Sequence, residues 1–390
     1  MKVNNLPYSR QRITKKDIDA VSNALQKDFI TTGSSVVSFE NKLSFFCNSK
    51  YALTTNSATS ALHLACLALR VKNNDIVWCS ANTFVATSNS ALFCGAKIDF
   101  IDINLEDYNI CLKALKNKLQ ITVKKKRPKV LIVTHIAGYP CSNLEEIYKL
   151  SKIYRFKIIE DASHAFGAKH KSNFVGSCKY SSVTVFSFHP IKTITTGEGG
   201  ACLTNDKKLY LFMRSLRSHG ILQNVKRNNF NKFYYEQHYL GFNYRMSDIN
   251  ASLGLSQIDR LNDILKKREF IANFYRKKLN MLEIFLTKKN KYIKSSNHLF
   301  IIRLLNKKLI KNHKNIINDL LKKKILVNIH YYPVYLQPFY KKMGFRSRHC
   351  PNSETYYHSS FSIPIYEQLK KRELNFVVKN LKEIVNKYSK

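Results

Sequence analysis

The feature that most constrains this 390-residue chain is the alternation of short apolar runs with longer amphipathic ones. Strand-like runs stand at Ala52–Thr55, Ile76–Cys79, Lys97–Ile101, Val130–Thr134, Lys157–Glu160 and Ser182–Phe188. Helical patterns at Ser57–Leu69, Thr83–Phe93 and Leu144–Tyr154 separate most of them. A further helix is expected in ITKKDIDAVSNAL, where Thr14 as N-cap and Asp17 three residues on can cap each other. Strands joined by crossover helices run parallel, and a parallel sheet is covered on both faces, so the pattern predicts an α/β fold. Ligands of such sheets gather outside the carboxyl ends of the strands. From Ser247 to about Leu279 one long helical stretch changes the rhythm. Beyond it, strands near His298–Leu305 and Ile325–Ile329 and a closing helix near Glu373–Tyr388 are expected. The predicted organisation is a large domain with a mostly parallel sheet over residues 1–265 and a small C-terminal α+β domain over 266–390.

Composition narrows the function classes. With 44% hydrophobic and 12% aromatic residues, wholesale disorder is excluded. No apolar run is long enough to span a bilayer, and the polar start MKVNNLPYSR lacks a signal-peptide core. Nine cysteines are scattered without a CxxC, which suggests neither a zinc site nor a disulfide framework. A reduced, soluble, cytoplasmic protein with no metal is expected. The charge of +39, from 65 Lys+Arg against 26 Asp+Glu, would ordinarily suggest nucleic acid or an anionic membrane. The lysines are spread along the chain rather than gathered, and KKKRPK at Lys124–Lys129 reads as a solvated turn before a strand. Specific nucleic-acid binding is therefore the rival reading, not the leading one.

The most informative segment is Tyr180–Asn205, YSSVTVFSFHPIKTITTGEGGACLTN. At the chain-wide 23% its 26 residues should carry about six charged groups; it carries two, Lys192 and Glu198. A lysine in apolar surroundings has a lowered pKa and a larger share of neutral amine, the state that forms a Schiff base with a carbonyl. The alternative is a buried stem whose ammonium reaches water, and charge sparsity leaves both open. Upstream, Asp161 follows the strand-like Lys157–Ile159; it is either the cap of the next turn or a carboxylate for a protonated ring nitrogen. His164, three residues on, is near the same place or is a core histidine. NSATSAL at Asn56–Leu62 opens a helix after a strand with small residues and hydroxyls, the make-up of a phosphate cup. Phe84, in ANTFVAT, lies just past another strand, where it can stack on a flat ring or pack in the core.

An amine for a carbonyl, a carboxylate for a ring nitrogen, an aromatic face and a phosphate cup are the inventory of a pyridoxal 5′-phosphate site. Nearly end to end, the chain resembles the DegT/DnrJ/EryC1/StrS sugar aminotransferases, of the fold-type-I (aspartate-aminotransferase-like) pyridoxal phosphate enzymes. The resemblance is carried by NSATSAL, ANTFVAT, EDASHAFGA, FSFHPIKTITTGEGGA, RSHG, GFNYRMSDINASLGLSQI and HYYPVYLQP, in that order. It implies that Lys192 holds the cofactor, that Asp161 partners its pyridine nitrogen and that His164 lies by its ring hydroxyl. Phe84 is similar to the stacking aromatic, and Ala58, Thr59 and Ser187 to phosphate contacts. Asn243 corresponds to an asparagine that reaches the phosphate from a neighbouring subunit, which implies a homodimer. Tyr8, Thr31, His330 and Tyr331 fall in segments that contact the nucleotide sugar. Within the family, FSFHPIKTITTGEGG, SSNHLF and HYYPVY look most like members that move an amino group from L-glutamate to C4 of a UDP-linked 4-keto-6-deoxy-N-acetylhexosamine in pseudaminic acid biosynthesis. A different nucleotide-linked keto sugar is the alternative, since the DFITTG stretch departs from those relatives around Asp28 and Phe29.

Overall fold

The computed structural model describes residues 5–222, 234–280 and 283–390. Seven strands form the central sheet: β1 (Tyr51–Thr55), β2 (Ile76–Ser80), β3 (Lys97–Ile101), β4 (Val130–Thr134), β5 (Lys157–Asp161), β8 (Val183–Ser187) and β9 (Gly200–Thr204). Between β5 and β8 lie β6 (Lys169–His170) and β7 (Asn173–Phe174), which form a small separate sheet with β11 (Ile293–Lys294). The central order is β1-β9-β8-β5-β4-β2-β3, and every pairing from β8 to β3 is parallel. Only β9 runs against the rest, pairing antiparallel with β8 and β1. Residues of β4, β8 and β9 are buried on both faces, as expected for a sheet sandwiched between helices.

Helix α1 (Lys15–Leu25) carries the reciprocal cap between Thr14 and Asp17 that its sequence predicts. Helix α2 (Ser34–Cys47) is capped from elsewhere, because its own N-cap, Gly33, offers no side chain. The Asp248 carboxylate accepts the N–H groups of Gly33, Ser35 and Val36, the Ser35 bond measuring 2.6 Å. Helices α3 (Ala58–Ala68) and α4 (Val85–Leu92) follow β1 and β2 directly and start at the carboxyl ends of those strands.

Two sequence expectations need correction. The stretch from Ser247 to Leu279 is two helices, Asp248–Asp259 and Leu261–Leu279, broken at Arg260 (φ −105°, ψ 12°). The Arg260 guanidinium is held there by Glu367 at 2.8 Å, by Asp17 at 3.5 Å and by the Arg12 carbonyl, anchors that lie far away in sequence. Ile325–Ile329 is not a strand. Ile325 bridges Leu6 and Asn328 bridges Ser362, so the run divides its hydrogen bonds between two unrelated partners. The strand of His298–Leu305 is present as β12 (Phe300–Leu304), between β10 (Ile284–Phe285) and β13 (Ser360–Ile363), and the closing helix spans Lys371–Ser389.

The helix Leu261–Leu279 joins two cores. Leu261 and Ile264 pack with Phe39, Phe186 and Phe188, while Ile271, Tyr275 and Leu279 pack with Phe300, Phe361 and Val377. Leu6 belongs to the second core although it lies near the N-terminus. We take this change of packing partners as the basis for a division near residue 265. Among the described residues no helix is long and apolar enough to cross a membrane.

Candidate active site

A cavity of about 530 Å³ opens at the carboxyl ends of the parallel strands. Five of the strand ends contribute to its wall. Ser57, Ala58 and Thr59 follow β1, Thr83 and Phe84 follow β2, Thr134 ends β4, Asp161 ends β5 and Ser187 ends β8. Lys192 and His189 come from the turn between β8 and β9, and Tyr8, Asn328, His330 and Tyr331 close the cavity from the side of the smaller core.

Lys192 is half-buried, its exposed part facing the cavity. The surrounding protein strips water from the ammonium and lowers its pKa from 10.5 to about 8, against the opposing pull of the Asp161 carboxylate. Asp161 is buried and fully engaged. One oxygen accepts the Ser163 N–H at 3.1 Å and its hydroxyl at 2.6 Å; the other accepts the Thr87 hydroxyl at 2.6 Å. Asp161 therefore caps the following turn, the first of its two sequence readings, and also lines the cavity.

Behind Asp161 runs a file of buried hydroxyls. Thr134 donates to Thr83 at 2.9 Å, and the hydroxyls of Thr83 and Thr87 lie 2.7 Å apart. Each hydroxyl has one proton, so Thr87 can donate to Asp161 only if Thr83 donates to Thr87. All three protons thus point toward the carboxylate, each bond polarising the next. Sequence reasoning missed this file. Its only local trace is the four-residue spacing of Thr83 and Thr87 in ANTFVAT, with Thr83 just before the N-cap of α4 and Thr87 in its first turn.

His164 is buried, and burial, reinforced by Lys192 and His330, holds its pKa well below the usual value. Its Nδ1 accepts the Ala137 N–H at 3.3 Å and its Nε2 lies 3.0 Å from the Tyr331 hydroxyl. His330 is buried too, with a pKa lowered to about 3 by burial and then by Lys192; its Nδ1 contacts the Ser362 hydroxyl at 3.0 Å. Tyr8 packs edge-on against His330, ring centroids 5.0 Å apart. Phe84 is 57% exposed, which excludes a core role within the chain and leaves its ring on the cavity wall, 5.8 Å from that of Tyr331.

The phosphate-cup reading can be tested on the backbone. The Ser57 hydroxyl accepts only the Ser60 N–H of the first turn of α3, and among the described residues the N–H groups of Ala58 and Thr59 have no protein acceptor. A Cβ at Gly200 would stand 2.6 Å from Ala58 N, so only glycine lets β9 lie this close under the helix start. Free N–H groups at a helix start, a buried carboxylate and a partly desolvated amine fit a phosphate-bearing pyridinium aldehyde.

Two expected site residues lie outside this cavity. Thr31 is exposed and lines a separate hollow of about 340 Å³ with Arg214, Arg217 and Arg245. Asn243 is exposed; its carbonyl lies 3.5 Å from the Asn56 amide, and the next residue, Tyr244, accepts the Asn56 N–H at 2.9 Å. Sequence reasoning, for its part, did not name Ser163, His189 and Asn328 as site residues, although they line the cavity.

Residues 11–382 match the family model described as "DegT/DnrJ/EryC1/StrS aminotransferase family". The chain belongs to this family. It is 40% identical over 386 residues to the UDP-4-amino-4,6-dideoxy-N-acetyl-beta-L-altrosamine transaminase of Campylobacter jejuni, covering 99% of each chain. It is 33% identical over 374 residues to the Helicobacter pylori enzyme of the same name, covering 93% of each. In structure it superposes on Helicobacter pylori PseC, an aminotransferase involved in the biosynthesis of pseudoaminic acid, with a TM-score of 0.90, 30% identity, and coverage of 99% of this chain and 100% of that one. The PLP-form of Spr1654 from Streptococcus pneumoniae, named as a sugar aminotransferase, superposes with a TM-score of 0.90 at 27% identity, covering 98% of this chain and 99% of that one. The family's α/β architecture with a mostly parallel sheet is the one found here, and the chain is a PLP-dependent aminotransferase.

Proposed function

We propose that this aminotransferase moves an amino group from L-glutamate to C4 of a UDP-linked 4-keto-6-deoxy-N-acetylhexosamine, a step of pseudaminic acid biosynthesis, with its cofactor alternating between pyridoxal and pyridoxamine phosphate. The observation that carries the chemistry is Lys192, an amine brought down to about pH 8 inside a cavity that also holds the Asp161 carboxylate. The printed activity of the Campylobacter jejuni and Helicobacter pylori relatives supports the sugar.

When bound, the cofactor supplies an aldehyde for an amine and a cationic ring that draws electrons from the neighbouring carbon. Lys192 is the residue that attaches to it. As a free amine with a pKa near 8, Lys192 is also the base that takes a proton from carbon and returns it. Asp161, fixed by Ser163 and Thr87, keeps a facing ring nitrogen protonated. Ala58, Thr59 and Ser187 hold the phosphate, Phe84 covers one ring face, and His164 stands beside the ring oxygen, its own N–H engaged by Tyr331. Tyr8, His330 and Tyr331 form the sugar side of the cavity.

Thr31 and Asn243 are exposed and lie away from this cavity within one chain, which supports a homodimer in which they serve the neighbouring site. Nine free cysteines support a reducing, cytoplasmic setting.

The test has two parts. Protein mixed with pyridoxal phosphate should turn yellow, and borohydride should fix the label on Lys192; Lys192→Ala should fold but take no covalent label. Incubation with glutamate and a panel of UDP- and dTDP-linked 4-keto sugars, read by mass and NMR, should aminate UDP-sugars. Amination of dTDP-sugars alone would overturn the sugar assignment and leave the chemistry in place.

A further inference from the structure

His164 can hold its proton on only one nitrogen. Its Nδ1 faces the Ala137 N–H, a donor fixed by the backbone, with Ala137 in the left-handed region at φ 58°. Nδ1 must therefore accept, and the proton of the neutral ring sits on Nε2. A second proton on the ring is disfavoured by burial and by the neighbouring Lys192 and His330. His164 Nε2–H is thus the donor in the 3.0 Å contact with Tyr331, and the Tyr331 oxygen is the acceptor.

The hydroxyl proton of Tyr331 is then left without an acceptor among the described residues. Among the described residues the only hydrogen-bond partner of this hydroxyl is the His164 nitrogen, already a donor. The tyrosine is held at both ends, by the Asn82 side chain on its backbone N–H at 2.8 Å and by His164 on its hydroxyl. Its ring stacks on His164 at 29° and lines the same cavity as Lys192.

We propose that Tyr331 is a catalytic residue that donates a hydrogen bond to an oxygen of the group bound beside Lys192. This rests on the aminotransferase reading of the cavity. The acceptor is either the ring oxygen of the cofactor or the carbonyl oxygen of the keto sugar. In both cases the donor is oriented before binding, because His164 has already consumed the alternative direction of the hydroxyl.

Tyr331→Phe holoenzyme tests it. If the acceptor is the cofactor oxygen, the pH at which the visible band of the sugar-free holoenzyme changes should move by about one unit, a tenfold change in the equilibrium. If it is the sugar carbonyl, that titration should stay in place. Amine transfer from the pyridoxamine-loaded enzyme to the keto sugar should then slow about 10- to 100-fold, with the glutamate half-reaction unchanged. A variant unchanged in both measurements overturns the proposal. Should Tyr331→Phe not fold, 3-fluorotyrosine at this position keeps the shape and makes the hydroxyl a stronger donor; the responding quantity should move the opposite way, and no movement overturns the proposal. Wild-type protein that takes no cofactor would instead defeat the aminotransferase reading itself.

Discussion

The hydroxyl of Thr87 is 2.6 Å from Oδ2 of Asp161, joining helix α4 to the end of strand β5 across 74 residues of sequence. Because both groups are buried, this bond fixes the direction in which the carboxylate faces the cavity. Through Thr83 and Thr134 the same alignment reaches the end of β4.

The hydroxyl file should therefore show graded effects. Thr87→Val removes one of three donors to Asp161 and should lower kcat/KM by about tenfold, corresponding to ~1.4 kcal/mol. Thr134→Val, two bonds further back, should cost less than Thr87→Val. Steady-state kinetics of the two variants, with melting temperatures as a control, checks the order; equal losses would deny polarisation along the file.

Gly200→Ala should weaken the cofactor site. The new Cβ would meet Ala58 N and the Ser57 carbonyl carbon at 2.6 Å, and these are backbone atoms that move only with the helix start. Displacement of the α3 N-terminus should raise the apparent Kd for pyridoxal phosphate by about tenfold or more and cost about 1–3 kcal/mol of stability. Fluorescence titration with the cofactor reads the first effect and thermal unfolding the second.

Lys192 carries a stability cost in the cofactor-free protein. Its folded pKa, about 8, lies below its unfolded value near 10.5, so between these two values the unfolded chain still holds a proton that the folded chain has released. The penalty is fully present below about pH 8 and fades as pH rises toward 10.5. Lys192→Met should raise Tm at pH 7, with a gain that shrinks by pH 9.5. Melts at the two pH values check the sign.

Buried histidines act on the acid side. His330 has a folded pKa near 3, below the 6.5 of an unfolded imidazole. The unfolded chain gains this proton first, so stability is lost as pH falls below 6.5 and the loss ends only near pH 3. His330→Gln should make the dependence of unfolding free energy on pH shallower by about 1.4 kcal/mol per pH unit near pH 5. Urea unfolding at pH 7, 6 and 5 for both proteins provides the comparison.

Much of the fold was legible because burial leaves a local record. Val130–Thr134 and Lys97–Ile101 are strands with the bounds their apolar runs suggest, and Leu144–Tyr154 is the helix its pattern predicts. The sparse charge around Lys192 marked its apolar setting but left open whether the amine reaches water; the lowered pKa comes from burial in the folded chain. By contrast, Ile325–Ile329 has the composition of a strand and is not one, because Leu6 and Ser362 take its hydrogen bonds separately.

The sequence by itself determined the parallel sheet, the carboxyl-end location of the candidate residues and the apolar setting of Lys192, since periodicity and charge content state which side chains leave water. Only the tertiary structure decided the break at Arg260, the alignment of Thr134, Thr83 and Thr87 on Asp161, and the proton position on His164. Those features depend on hydrogen-bond partners brought together from distant segments. A hydrogen bond is directional, and its direction is set by where the partner stands in space, which no local pattern of apolar and polar residues encodes.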